Sequence, residues 1–248
     1  MKYLISFLFL VLSFSMKSEA KVTLSSILGD NMVLQQQTEV ELWGKARPNA
    51  VVTVKTSWNN RVYKSSSDGK GNWSLKVSTP VAGGPYKITF NDGELLTLQN
   101  ILIGEVWFCS GQSNMEMPMG GFDRQPVRGT NDLIAKAKPS TPIRMYTTDS
   151  KDGRWVRQFS KTPQEDCQGE WLENTPVNVS HISAVSYYFA CYIQEVLEVP
   201  VGIVVSTWGG SKVEAWMSRE SIKSFDSIDL SILDNDGEVK NPTATLCV

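Results

Sequence analysis

Residues Ser183–Ser206 read SAVSYYFACYIQEVLEVPVGIVVS, and this stretch decides the fold class. Val185, Tyr188, Phe189, Tyr192, Ile193, Val196 and Leu197 recur at the i, i+3, i+4, i+7 spacing of an amphipathic helix. Ser183 suits the N-cap, and Pro200 stops the helix. Val201–Ser206 is then a continuous apolar run, the pattern of a parallel strand buried on both faces. Upstream, Ile103–Ser110 is a second apolar strand. Strand, helix, strand in this order is a βαβ unit and predicts an α/β domain. Between them, Thr130-Asn131-Asp132 caps a short helical stretch at Leu133–Lys138. Tyr146–Asn178 holds Pro, Gly and Trp without a period and reads as a long loop over the sheet.

Working toward the N-terminus, the texture changes. Val40–Trp43, Val51–Ser57, Arg61–Ser65, Trp73–Ser78 and Tyr86–Phe90 are rich in β-branched and aromatic residues. Turn signals separate them, among them Ser67-Asp68-Gly69, Ala82-Gly83-Gly84-Pro85 and Asn91-Asp92-Gly93. Short strands with regular turns predict a small antiparallel β-sandwich. The first twenty residues, MKYLISFLFLVLSFSMKSEA, carry Lys2, an apolar run and small residues at Ser18 and Ala20. That is the layout of a secretory signal cleaved after Ala20. Its apolar run is about twelve residues, short of the roughly 20 that span a bilayer. The expected organisation is a signal at 1–20, a β-sandwich at 21–100 and an α/β domain at 101–248. The expected compartment is secreted or periplasmic, with no membrane association after cleavage.

The 248 residues carry 24 Lys+Arg against 26 Asp+Glu, with 41% hydrophobic and 20% charged residues. This excludes a disordered chain. The slightly negative balance argues against nucleic acid as a partner, since no basic field is available to release counterions. Four cysteines, Cys109, Cys167, Cys191 and Cys247, show no metal spacing. Cys109 and Cys191 lie in apolar runs, where free buried thiols are common. With one histidine, His181, a four-ligand zinc site is not expected, and neither a metal nor a cofactor is called for.

In a parallel sheet, chemistry collects at the carboxyl ends of the strands. The first such end reads GEVWFCSGQSNM over 104–115. A buried strand running into Gly-Gln-Ser-Asn places the Ser113 hydroxyl at the sheet edge with backbone N–H groups nearby. Those are the needs of a serine nucleophile and its oxyanion. The string is not the G-x-S-x-G elbow, because Asn114-Met115 follows the serine. Taken alone it also fits a plain polar turn. The second end reads VVSTWGGS over 204–211, where Gly209 and Gly210 leave backbone N–H groups open. Consecutive parallel strands would bring both loops to one edge.

GEVWFCSGQSNMEMP, with VPVGIVVSTWGGSKVEAWMS downstream, resembles the sialate O-acetylesterase family, a branch of the SGNH hydrolases. GDNMVLQQ and ELWGKARPNAVVTV resemble that family's leading β-domain, so the resemblance spans nearly all of residues 21–248. It implies an α/β fold with a flavodoxin-like SGNH sheet, preceded by the small antiparallel β-sandwich. It also implies a serine esterase that removes O-acetyl groups from sialic acid or related acetylated sugars through an acetyl-enzyme, without metal or cofactor. Carried over by position, Ser113 is the nucleophile. The N–H groups of Ser113 and of Gly209 or Gly210 form the oxyanion hole, with the choice of glycine open. Gln112, Asn114, Trp208 and Glu214 are candidates for substrate contact; Glu116 and Trp216 are others, with capping or core packing as their alternative roles.

The family's Gln-Gly-Glu-x-Asn and Asp-x-x-His strings do not occur in this sequence. The expectation is therefore an incomplete catalytic domain that is inactive by itself. His181, just before the cap of the long helix, reads as a helix-entry or surface residue rather than the general base. The acidic stretch Asp229–Glu238 lacks EF-hand spacing and reads as a solvated loop. The alternative to an esterase is a secreted glycan-binding module built on the β-domain and its Trp residues, or an inactive gene remnant. The oligomeric state is left open.

Overall fold

The computed structural model describes residues 22–151, 154–155 and 166–225. The expected leader, the acidic stretch and Cys247 lie outside the described residues. In chain order the strands and helices are β1 Thr23–Leu24, β2 Val33–Gln35, β3 Glu39–Lys45, β4 Val51–Thr56, β5 Val62–Ser66, β6 Asn72–Ser78, β7 Gly83–Asn91, β8 Leu95–Gly111, α1 Ser113–Glu116, α2 Thr130–Lys136, β9 Ile143–Thr147, β10 Ser150–Lys151, β11 Arg154–Trp155, β12 Trp171–Glu173, α3 Pro176–His181, α4 Ala184–Leu197, β13 Val201–Thr207 and α5 Arg219–Ile222. A 3-10 turn at Val213–Trp216 precedes α5.

The N-terminal part is two facing antiparallel layers. One is the separate three-stranded sheet β1-β3-β6. The other is formed by β5, β4, β7 and the first half of β8. Strand alternation does the work here: Leu42, Trp73 and Val77 from the first layer meet Val52, Val54, Ile88 and Phe90 from the second. All of these side chains are at most 3% exposed. Burying one such side chain stabilises the fold by roughly 1.5–3 kcal/mol.

β8 is 17 residues long and belongs to both halves. Through Ile103 it pairs with β7. From Glu105 to Gly111 it pairs in parallel with β13. The expected boundary at 100/101 therefore falls inside one strand. Asn100 sits there at φ 56°. Among the described strands, the Glu105–Gly111 part of β8 pairs with β13 alone.

β13 pairs in parallel with β9 on its other side, and β12 adds an antiparallel edge. The fold is thus a mixed α/β arrangement. The order β9-β13-β8 departs from the expected flavodoxin-like order, in which the first strand lies between the second and third. The reason is in the side chains: every residue of β13 is buried, so this strand takes the centre. Val201, Ile203 and Val205 pack toward α3 and α4. Among the described residues the other face is covered by the β-domain: a Cβ on Gly202 would come within 2.7 Å of the Val33 side chain.

Two expectations are corrected. The region read as a long loop contains β12, α3 and the end of β9. Ile143–Thr147 is five residues long, too short for periodicity to mark it as a strand. Pro176 at the first turn of α3, with Thr175 accepting the Asn178 N–H, starts this helix. The second correction concerns α4. Its boundaries follow the reading, with Ser183 capping the Ser186 N–H. Its buried residues, however, are Ala184, Ser186, Tyr187 and Ala190. The large stripe points outward, with Tyr192 65% and Val196 58% exposed. Small residues let the helix lie close on the sheet, and the wide stripe continues onto the exposed Trp107, whose ring meets Phe189 edge-on at 5.0 Å.

Polar ties join the halves. Asp166 accepts from the Ser26 N–H at 3.0 Å and from the Ser26 hydroxyl at 2.6 Å. The Trp171 indole donates to the Ile27 carbonyl at 2.8 Å.

The tightest approach is at Gly104, where a Cβ would lie 2.0 Å from the Pro200 carbonyl oxygen. Backbone cannot move away as a side chain can. Gly104→Ala should lower unfolding stability by about 1–3 kcal/mol in urea titration. Gly69→Ala, with nothing within 4 Å of its Cβ position, should stay within about 0.5 kcal/mol of wild type. Equal effects at both positions would contradict this packing.

Candidate active site

The nucleophile loop is built by a forced turn. Gly111 ends β8 at φ 151°, and a Cβ there would press on the Met115 Cβ at 3.3 Å. The chain turns into α1, whose first residue is Ser113. Ser113, Gln112 and Asn114 are exposed. Neither the hydroxyl nor the backbone N–H of Ser113 has a hydrogen-bond partner among the described residues. The loop is pinned from below. Met115 sulfur accepts the Ser186 hydroxyl at 3.2 Å, the Ala184 N–H donates to the Met117 carbonyl at 2.8 Å, and Met119 is fully buried.

The second loop arrives beside it because of register. Ser206 pairs with Ser110 and Thr207 with Gly111. One step further, the Trp208 N–H donates to the Gly111 carbonyl at 3.0 Å. The two strand ends are therefore laced together where the two motifs begin. Ser211 turns the loop back, its hydroxyl bonding the Trp208 carbonyl at 2.7 Å and accepting the Trp216 indole N–H at 2.9 Å. Trp216 is thus held as a brace. Trp208 and Glu214 are half-buried on the same segment.

The two glycines differ. The Gly209 N–H donates to the Glu116 carboxylate in a short hydrogen bond. Gly210 sits at φ 76° with open space around its Cβ position. Its N–H has no partner among the described residues. The geometry leaves Gly210, with Ser113, holding a free donor at this edge. Glu116 thereby joins the two loops across the site. Its position one helical turn after Ser113 was the only sequence signal for this, and the carboxylate was read there as a sugar contact or a cap.

Two other groups are placed away from the chemistry. His181 is exposed at the end of α3 and makes no hydrogen bond to Ser113 among the described contacts. Cys109 and Cys191 form no disulfide among the described residues. Burial pushes the Cys109 and Cys191 thiols up, with Ser186 and Tyr187 hydrogen bonds opposing, so both stay protonated and poorly nucleophilic near neutral pH. Among the described residues no His, Cys, Asp and Glu cluster could hold a metal, and no helix is long and apolar enough to cross a membrane.

No family model matches the chain. Sequence comparison does find relatives. Over 215 residues the chain is 27% identical to the sialate O-acetylesterase of Homo sapiens, covering 81% of this chain and 39% of that protein. The Pongo abelii sialate O-acetylesterase matches with the same identity and coverage. Among solved structures, a carbohydrate acetylesterase from Xanthomonas citri superposes with a TM-score of 0.72 at 33% identity, covering 82% of this chain and 44% of that one. The chain is similar to sialate and carbohydrate acetylesterases. It spans about two fifths of the length of the curated relatives it matches.

The Glu116 contact is directly testable. In Glu116→Ala, the Gly209 amide should exchange with deuterium at least about tenfold faster by NMR, as expected for a lost hydrogen bond to a charged group. Gly210 exchange should not change. An unchanged Gly209 rate would remove Glu116 from this role.

Proposed function

We propose that the chain carries the nucleophile and oxyanion elements of a secreted or periplasmic serine carbohydrate esterase of the SGNH type. Its substrate class is O-acetylated sugar, sialic acid or a related acetyl sugar. The observation that supports this most is the pairing of the two strand ends, which sets the exposed Ser113 hydroxyl and the Ser113 and Gly210 N–H groups, unpartnered among the described residues, on adjacent loops. The kinship with sialate and carbohydrate acetylesterases points the same way.

In this reading Ser113 Oγ attacks the acetyl carbonyl carbon. The carbonyl π pair moves to oxygen, which is received by the Ser113 and Gly210 N–H groups. One such donor lowers the barrier by roughly 3–4 kcal/mol. The C–O bond to the sugar breaks, and the sugar oxygen leaves with the proton taken from Ser113. Water then cleaves the acetyl-serine and releases acetate. Gln112, Asn114, Trp208 and Glu214 frame the sugar side, with the Trp208 ring as the apolar surface. Glu116 holds the second loop in register and does not touch the reacting atoms.

Proton transfer needs a base within roughly 2.6–3.2 Å of the serine hydroxyl. His181 is the single histidine in the 248 residues, and it is exposed without a bond to Ser113. Losing one member of a catalytic unit costs several orders of magnitude. Turnover by this polypeptide should therefore be slow, with deacylation slowed as much as acylation.

Incubation with 4-nitrophenyl acetate followed by peptide mass spectrometry tests the proposal. The acetyl adduct should accumulate on the Ser113 peptide, vanish in Ser113→Ala and persist in His181→Ala. Adducts confined to lysines, with none on Ser113, would overturn it.

A further inference from the structure

A groove of about 690 Å³ on the β-sandwich is lined by residues of β1, β3 and β6 and of the end of β5. This lies within the roughly 300–1,000 Å³ usual for ligand sites. Its floor is set by strand register. Trp43 pairs with Ser74, and Lys45 with Asn72, so all four side chains share the solvent face of the separate sheet. Trp43 is 39% exposed, a large flat ring left in water on a polar strand.

The walls are polar and held in place. The Ser65 hydroxyl donates to the Ser74 carbonyl at 2.7 Å, closing β5 against β6. The Asp68 carboxylate accepts the Lys70 and Asn72 N–H groups at 2.8 Å each and the Asn72 side-chain amide at 3.0 Å. Those bonds keep Asp68 below its ordinary carboxylate value, so it stays an acceptor, and they orient the Asn72 amide. Asp166, from the second half of the chain, forms the far wall through its bonds to Ser25 and Ser26.

We propose that this groove is a second carbohydrate site, one that binds a neutral oligosaccharide without reacting with it. The apolar face of a sugar ring stacks on Trp43. Its hydroxyls bond the Asn72 amide and the Asp68 carboxylate. Among the described lining residues, the charged side chains are two carboxylates, Asp68 and Asp166, and one ammonium, Lys45. An anionic sugar is therefore disfavoured, and this separates the groove's ligand from a sialic acid. A site formed by both halves of the chain would hold a polysaccharide beside the esterase half.

Xylohexaose and cellohexaose carry no ester, so their binding does not depend on the esterase reading. Calorimetric titration of the protein should show saturable binding of at least one of them. Trp43→Ala should weaken it at least about tenfold. Trp43→Phe should keep most of it, and Trp208→Ala all of it, with thermal melts unchanged. Three results would overturn the proposal: no binding of either hexasaccharide at millimolar concentration, binding that survives Trp43→Ala but not Trp208→Ala, or binding of 3′-sialyllactose in preference to both.

Discussion

The parallel pairing of β8 with β13 is the constraint on which everything else depends. It starts at Gly104, where the absence of a Cβ lets the Pro200 carbonyl approach and accept the Glu105 N–H at 2.9 Å. From there the register runs without a shift to Gly111 and Thr207. A slip of one residue would turn Val201, Ile203 and Val205 away from the α4 core. It would also separate the Ser113 loop from the Trp208–Ser211 loop. Stability and site geometry are thus set by the same ladder. The β-domain takes part in this, because Val33 covers the back of β13 and Asp166 and Trp171 tie the Ser25–Ile27 segment down.

The candidate site is built mostly from backbone. Side chains serve to hold two loops at a fixed separation. Glu116 spans them, Ser211 and Trp216 brace one, and Met115 with Ser186 anchors the other. Fixed backbone donors need no reorganisation as charge develops on a reacting oxygen, which is why such arrangements are effective in acyl transfer. The difference between Gly209 and Gly210 shows how finely this is set. One N–H is held by Glu116, and its neighbour has no partner among the described residues.

Much of this was legible in the residues. The strands of the β-domain announced themselves by alternation and turn chemistry. Ser183 and Pro200 fixed the ends of α4, and the two strand-end strings fixed the loops. What was not legible has physical causes. β9 and β12 are short, and tertiary pairing rather than local pattern makes them strands. The outward stripe of α4 could not be foreseen, because periodicity reports an apolar face without saying what covers it. Ala184 and Ala190 won the contact with the sheet because small side chains permit close approach. The role of Glu116 depends on a contact between residues 93 positions apart, which no local motif encodes.

The central claim is that Ser113 and Gly210 present a shared pair of N–H donors while Gly209 is held by Glu116. The most direct measurement is an ¹H–¹⁵N NMR titration of the protein with methylphosphonate, a stable tetrahedral oxyanion. The account predicts saturable downfield shifts of the Ser113 and Gly210 amides with the Gly209 amide unmoved. Shifts at Gly209 instead, or none at Ser113 and Gly210, would contradict it.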